Sequence, residues 1–227
     1  MLYDKDIREY LFDFLDEEYG KNRIMEEKVM GRSRADVVMV TPQAIFGIEI
    51  KSDADTYARL SRQVKDYNQY FDYNYVVVGS KHAMHIEEHV PDYWGIITVD
   101  DLDGKPDYYI LRKPSKNPKV KWKKKLSILW RPELVHIQQI NKLPAYKRNS
   151  KDFVVDKIIE KVDEDILQGQ FCEELIQRDY STIAQVISEY KSLNKREIKS
   201  TNTRKRTYKK IYKGSSKRKK SRGVKRK

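Results

Sequence analysis

The apolar positions in the first quarter of this 227-residue chain follow a helix and then a series of strands. Residues 4–19 carry apolar side chains at helical spacing, with acids at the start and Gly20 at the end, which predicts an amphipathic helix. Residues 23–30 predict a strand. Two β-branched runs, Asp36 to Thr41 and Ala44 to Lys51, then flank Pro42-Gln43, a pattern typical of a β-hairpin.

The pattern after the hairpin alternates between helix and strand. A helix capped by Asp53 or Asp55 is expected to run to about Phe71. The elements predicted after it are a buried strand, a helix, a strand and an edge strand, at residues 75–79, 81–89, 94–99 and 107–112. Strand–helix–strand units that follow a hairpin favour an α/β sandwich with a mixed sheet.

The predicted hairpin brings three charged residues to one face. If Thr41 lies opposite Ala44, Asp36 lies directly opposite Glu49, and Lys51 emerges two residues further along the same face. Two carboxylates at this spacing repel each other unless a cation lies between them, and Mg²⁺ takes oxygen ligands of this kind. A solvent-exposed hairpin would also carry polar side chains. Nearly every other position here is apolar, however, so a functional role is the better interpretation.

The pattern Asp36-x12-Glu49-x-Lys51 on a hairpin, followed by a helix, resembles the catalytic signature of the PD-(D/E)XK nuclease superfamily. Gln63 and Tyr67 lie four residues apart on that helix, on one face with Arg59, and resemble an accessory motif of the same superfamily. The resemblance covers roughly residues 1–100 and is nearest to small bacterial and phage members. Ala35 stands where the superfamily signature has proline.

The resemblance implies a three-layer restriction-endonuclease-like core and a metal-dependent nuclease, acting as an endo- or exonuclease. Mg²⁺ or Mn²⁺ would be held by Asp36, Glu49, the main-chain carbonyl of Ile50 and, from the first helix, Glu9. Lys51 would orient the attacking water or stabilise charge on the phosphate. Gln63 and Tyr67 would position the site or touch the phosphate backbone. A homodimer is compatible with this resemblance.

Positive charge is concentrated in two segments. Residues 195–227 hold 17 Lys/Arg and one acid, so the other 194 residues have a net charge of −3 although the whole chain carries +13. Residues 112–131 hold nine Lys/Arg and no acid. Basic segments of this kind bind polyanions without sequence preference, and we expect both to contribute affinity for DNA. Repair, recombination and phage defence are all compatible with such an activity.

These patterns divide the chain into four predicted regions. They are a nuclease-like core at 1–112, a basic linker with a short helix at 113–149, a helical extension at 150–194 and a disordered polybasic tail at 195–227. Two helical patterns fill the extension, with Gly169 near the expected break between them. Trp122, among the linker lysines, could stack on a base or anchor the linker to the core.

Several other classes of function compete with the nuclease. The chain has one cysteine, Cys172, no apolar run of membrane-spanning length and no signal-peptide pattern, so we expect a cytoplasmic protein without disulfides. His82, His85 and His89 share a helical face, but they flank an apolar stripe and are a weaker metal site than the hairpin. The alternative functions are a non-catalytic nucleic-acid-binding protein with a nuclease-like fold, and an interaction module whose tail binds RNA or another acidic partner.

Overall fold

The structure, a computed structural model, describes residues 4–146 and 148–180. Six strands of this part of the chain form one sheet: β1 (Arg23–Met30), β2 (Ser33–Val40), β3 (Ile45–Lys51), β4 (Tyr73–Gly79), β5 (Gly95–Leu102) and β6 (Lys105–Arg112). The strands lie in sequence order across the sheet. Strands β3, β4 and β5 are mutually parallel, and the remaining neighbours are antiparallel, so the sheet is mixed as predicted.

Seven helices accompany the sheet in the described residues: α1 (Asp4–Tyr19), α2 (Leu60–Tyr70), α3 (Ser80–Ala83), α4 (Trp122–Leu126), α5 (Arg131–Ile140), α6 (Lys151–Lys161) and α7 (Glu164–Gln177). Short 3-10 turns at Tyr57–Arg59 and Ile86–Glu88 precede α2 and follow α3. Each segment between the strands is therefore short enough to return the chain directly to the neighbouring strand.

The two faces of the sheet are covered by different helices. On one face α1 buries Ile7, Leu11 and Leu15, spaced four residues apart, against the sheet. On the other face α2 and helices α4 to α7 pack into one apolar core. Strand β3 lies between these two cores, which is why all seven of its residues are buried. The predicted α/β fold with helices on both sides of a mixed sheet is confirmed.

Three local predictions are wrong. The helix expected at residues 81–89 is instead α3 and a 3-10 turn, because His82 and His89 pack on the ring of Tyr57. Asp55 does not cap α2, since its carboxylate accepts hydrogen bonds from the amide and hydroxyl of Ser52. Gly169 lies inside α7, and the break between α6 and α7 falls at residues 162–163.

The basic segment 113–125 packs closely against the core. Asn117 is buried, and its side-chain amide donates to the carbonyl oxygens of Asn68 and Phe71, at 2.9 and 2.7 Å. Trp122 packs against the core on the α2 side, with the ammonium of Lys125 4.5 Å from its ring centre. Of the two roles considered for Trp122, anchoring the segment is therefore the one that the packing supports.

The chain divides after Arg178 into a compact unit, residues 1–178, and a second unit, residues 179–227. The predicted tail at 195–227 lies outside the described residues, as does the end of the predicted extension. Among the helices that the structure describes, none combines the length and apolar character needed to cross a membrane.

Candidate active site

The register predicted for the hairpin is the one that the structure adopts. Val37 pairs with Ile48 and Val40 with Ile45, so the next position along brings Asp36 opposite Glu49. The ladder ends there. By the alternation of an antiparallel pair, the amide of Ile50 would be expected to bond to the carbonyl of Ala35. It donates instead to Oδ2 of Asp36 at 2.9 Å. The carboxylate of Asp36 thus replaces a main-chain carbonyl as hydrogen-bond acceptor at the point where β2 and β3 separate.

The neighbouring edge strand is distorted at the same level. Glu26 pairs with Val37 and Lys28 with Ala35, which leaves Glu27 opposite Asp36 but outside the ladder. Glu27 has a positive φ of 52°, a conformation that side chains other than glycine rarely adopt. Strained backbone of this kind is concentrated at functional sites.

Glu49 is buried and receives three hydrogen bonds. Only 1% of this residue is exposed. The ammonium of Lys51, itself 3% exposed, lies 2.7 Å from Oε1, and the side-chain amide of Gln63 donates to the same oxygen. The phenol of Tyr67 donates to Oε2 at 2.7 Å. These three donors replace the hydrogen bonds to water that the carboxylate loses on burial, and a buried charge requires such partners.

Tyr67 connects the helix to both strands of the hairpin. Its oxygen accepts a hydrogen bond from the amide of Asp36 at 3.3 Å, in addition to the contact with Glu49. Its ring is fully buried and packs on Phe71 and Trp94, with ring centres 5.3 and 5.4 Å away. Burial and the nearby carboxylates raise the pKa of Tyr67 well above its ordinary value, so the phenol stays a donor.

Asp36 is held in an environment that opposes its charge. Burial, followed by repulsion from Glu49, raises the pKa of its carboxyl from an ordinary 3.8 to about 7. The hydrogen bond from the Ile50 amide and the charge of Lys51 act in the opposite direction but are weaker. A titratable group with so large a shift in a cleft is a candidate for a functional role.

The carboxylate pair lies in a groove of about 570 Å³. Its lining includes six cations, contributed by α1, the β1–β2 turn, β2, β3 and the start of α2: Arg8, Arg32, Arg34, Lys51, Arg59 and Arg62. Arg8 donates to the carbonyl of Asp36 at 3.1 Å, which places a guanidinium next to the carboxylate pair. Three more acids, Asp4, Glu27 and Asp55, also line the groove, and Arg8 and Arg34 pair with Asp4 and Glu27 at 2.9 and 3.1 Å. Arg32, Arg59 and Arg62 have no ion pair with a described acid, so their guanidinium groups are open to an anionic substrate.

The five side chains predicted for catalysis, Asp36, Glu49, Lys51, Gln63 and Tyr67, come together at this site. The groove arginines were missed, except that Arg59 was placed on the same helical face as Gln63. Arg59 and Arg62, three residues apart on one side of a helix, were a signal available in the sequence. Arg8 and Arg32 reach the groove only through the tertiary fold.

The residues at this site fit a hard divalent cation. Repulsion between Asp36 and Glu49 raises the pKa of Asp36, and a cation between the two would remove that penalty. Ile50, whose carbonyl was predicted as a further ligand, also lines the groove. The carbonyl oxygen of the Gln63 side chain is buried there without a hydrogen-bond partner. A cation would therefore meet oxygen ligands of the kind that Mg²⁺ prefers.

Two other metal predictions have different outcomes. The side chain of Glu9, in α1, lies outside the described part of the structure. No group of three or more His, Cys, Asp or Glu side chains among the described residues is arranged to hold a metal ion. His82, His85 and His89 therefore form no such site, and Asp36 and Glu49 stand as a pair of carboxylates.

Comparisons with known proteins give a family and a likeness to a solved structure. A family model described as bacteriophage P4 protein cII matches residues 1–206. Among solved structures, SfsA of Pyrococcus furiosus, solved in complex with Ca²⁺, is similar at 15% identity and a TM-score of 0.31. That likeness covers 52% of this chain and 63% of SfsA, which is less than two thirds of the length of SfsA. No curated protein sequence matches the chain.

Proposed function

The chain belongs to the bacteriophage P4 protein cII family, and from its hairpin site we propose that it is a metal-dependent nuclease that hydrolyses phosphodiester bonds of DNA. The observation that carries the proposal is the pair Asp36 and Glu49, on adjacent strands beside Lys51, inside a groove lined by arginines. This is also the signature that resembles the PD-(D/E)XK nucleases. The carboxylates can bind a metal ion, and the surrounding cations can bind the negatively charged phosphodiester.

Asp36 and Glu49, with the carbonyl of Ile50, would hold Mg²⁺ or Mn²⁺. When bound, such an ion supplies a bound water of lowered pKa and positive charge for the phosphate. The protein's own groups do the rest. Lys51 would stabilise the negative charge that develops on the phosphate. The groove arginines would hold the phosphate in place, since guanidinium groups bind phosphate oxygens with two parallel hydrogen bonds.

Gln63 and Tyr67 act on Glu49 and not on the substrate. Both donate to its carboxylate, so they fix the direction in which its oxygens face the groove. Partners of this kind keep a ligand in place and thereby affect metal affinity. The proposal therefore gives these two residues a positioning role.

Cleavage of plasmid, linear, single-stranded and branched DNA with Mg²⁺ or Mn²⁺ tests the proposal. Glu49→Gln, which keeps the size of the side chain but removes its charge, should abolish cutting. Glu87→Gln, which neutralises an exposed acid that does not line the groove, is the matched control and should cut normally. Cutting that survives in Glu49→Gln would overturn the proposal. DNA binding without any cutting would favour the non-catalytic nucleic-acid-binding protein.

A further inference from the structure

The outward side of α2 carries a row of cations that leads away from the carboxylate groove. Arg59, Arg62 and Lys65 follow one another at intervals of three residues and are all exposed. The structure gives none of them an ion pair with another described residue. Asp66, the acid within α2, accepts a hydrogen bond from the hydroxyl of Ser33 at 2.6 Å and thereby fastens the β1–β2 turn to the helix.

A second groove, of about 560 Å³, begins where this row ends. Its walls are Lys65, Asn68 and Gln69 of α2 and the segment Pro118 to Lys121. Main-chain contacts hold the segment against the helix: the amide of Lys121 donates to the carbonyl of Gln69 at 3.0 Å. Asn117, buried one residue before the segment, adds the side-chain hydrogen bonds already described. The groove is thus a preformed part of the fold.

Five of the seven lysines of this basic segment form two distinct groups. Lys113, Lys123 and Lys125 are engaged in ion pairs with Glu18, Asp156 and Asp72. Lys119 and Lys121, which line the second groove, are exposed and have no ion pair with any described acid. The basic patch predicted from the sequence is therefore partly engaged in ion pairs within the fold, while the two lysines on the second groove face α2 and are available to an outside anion.

We propose that the row Arg59, Arg62, Lys65 together with Lys119 and Lys121, here called the α2 track, binds the sugar–phosphate backbone of the substrate beyond the cleaved bond. This inference rests on the proposed function. From Arg59 to Gln69 the helix rises about 15 Å, which spans roughly four or five phosphates of one strand of a duplex. Both grooves share α2, so a single backbone can lie along it from one to the other.

The α2 track predicts contacts with phosphates and not with bases. Lysine and arginine on an open helix surface bind phosphate oxygens irrespective of sequence, and such contacts set the position of the nucleic acid. The α2 track would therefore fix where the strand enters the carboxylate groove. The polybasic tail can add affinity without sequence preference.

Lysine acetylation measured by mass spectrometry tests the α2 track in the full-length protein. Chemical acetylation is followed with and without a 30-nucleotide single strand or a 30-base-pair duplex, in EDTA so that nothing is cut. Lys65, Lys119 and Lys121 should be acetylated several-fold more slowly with DNA bound. Lys81 and Lys105, exposed elsewhere on the same unit, are internal controls and should not change.

Variants extend the test to binding and separate it from catalysis. Lys65→Gln combined with Lys121→Gln should lower the salt dependence of DNA binding by about two phosphate contacts, and Lys81→Gln with Lys105→Gln should not. Protection only of tail lysines, or of none, would overturn the α2 track even if the protein cuts DNA. Protection of the α2 track in a protein that cuts nothing would keep the track as a DNA-binding surface but overturn the nuclease, and with it the position of the track beyond a cleaved bond.

Discussion

The phenol oxygen of Tyr67 lies 2.7 Å from Oε2 of Glu49 and donates a hydrogen bond to it. This contact joins α2 to β3, so the hairpin motif and the helix motif that follows it form one site. The same phenol accepts from the amide of Asp36. One side chain thereby links the backbone of Asp36 to the carboxylate of Glu49, and the five predictions below depend on this arrangement and the packing around it.

Tyr67→Phe should weaken metal binding and cleavage while the fold survives. Glu49 loses one of its three donors, which costs about 1.5–3 kcal/mol of folding stability for a hydrogen bond to a charged group. Loss of a group that orients a metal ligand lowers affinity or activity by about 10- to 100-fold. Calorimetric titration with Mn²⁺ and single-turnover cleavage would measure both effects. Tyr70→Phe, on the same helix, is the control and should behave as wild type.

Asp36→Asn should remove the pH dependence that this carboxyl gives to stability. The pKa of Asp36 is raised to about 7 in the folded state. A raised folded-state pKa means that the unfolded chain releases this proton first. In metal-free buffer the wild type should therefore lose stability relative to Asp36→Asn as the pH rises from about 4 to 7, by up to about 4 kcal/mol. Urea unfolding at several pH values measures the difference.

The same carboxyl should make metal binding depend on pH. A divalent cation must displace the proton of Asp36, so Mg²⁺ should raise the melting temperature of the wild type more at pH 8 than at pH 6. Asp36→Asn should show no such rise at either pH. Equal stabilisation of both proteins by Mg²⁺ would place the metal elsewhere.

The hairpin and its register could be predicted from the sequence because the pattern that defines them is local. The alternation of apolar side chains and the turn at Pro42-Gln43 define the register, and the structure has Val37 opposite Ile48 accordingly. The following helix put Gln63 and Tyr67 on one face by its period alone. The groove arginines were not predictable in this way, since Arg8 and Asp36 are 28 residues apart and meet only when α1 packs on the sheet.

The basic segment shows where composition misleads. The nine cations of residues 112–131 suggested a uniform surface for polyanions. In the fold, Lys125 is 1% exposed and pairs with Asp72 at 2.5 Å, while Lys123 pairs with Asp156. Which lysine is buried depends on partners 33 and 53 residues away, and no local pattern encodes that. The interruption of the helix expected at 81–89 also depends on contacts that are distant in sequence, because His82 and His89 pack on the ring of Tyr57.

Asp72→Ala should destabilise the protein strongly. Asp72 joins the hairpin to α4, because it accepts from the amide of Ile45 and pairs with Lys125, whose pKa is lowered by burial. Removing one partner of a buried ion pair leaves the other charge uncompensated and costs about 3–5 kcal/mol. Lys125→Met added to Asp72→Ala should recover part of that loss. Asp156→Ala, which breaks the exposed pair with Lys123, should change stability little, because water and salt screen exposed ion pairs.

Gly47→Ala tests whether the position of Tyr67 depends on the absence of a side chain in β3. A Cβ at Gly47 would lie 2.1 Å from the ring of Phe71 and 2.7 Å from the ring of Tyr67, so both buried rings would have to move. Overpacking of this kind costs about 1–3 kcal/mol. The displaced phenol would also lose its contact with Glu49, so cleavage should fall further than stability does.

Gly169→Ala is the matched control for that substitution. Gly169 lies within α7, and a Cβ there meets no atom within 4 Å. Alanine in a helix should raise stability by about 0.5–1 kcal/mol and leave cleavage unchanged. Denaturant unfolding and cleavage rates of the two variants distinguish the causes. Full activity in Gly47→Ala would show that Tyr67 does not set the geometry of Glu49, because the substitution forces that ring away from its present place.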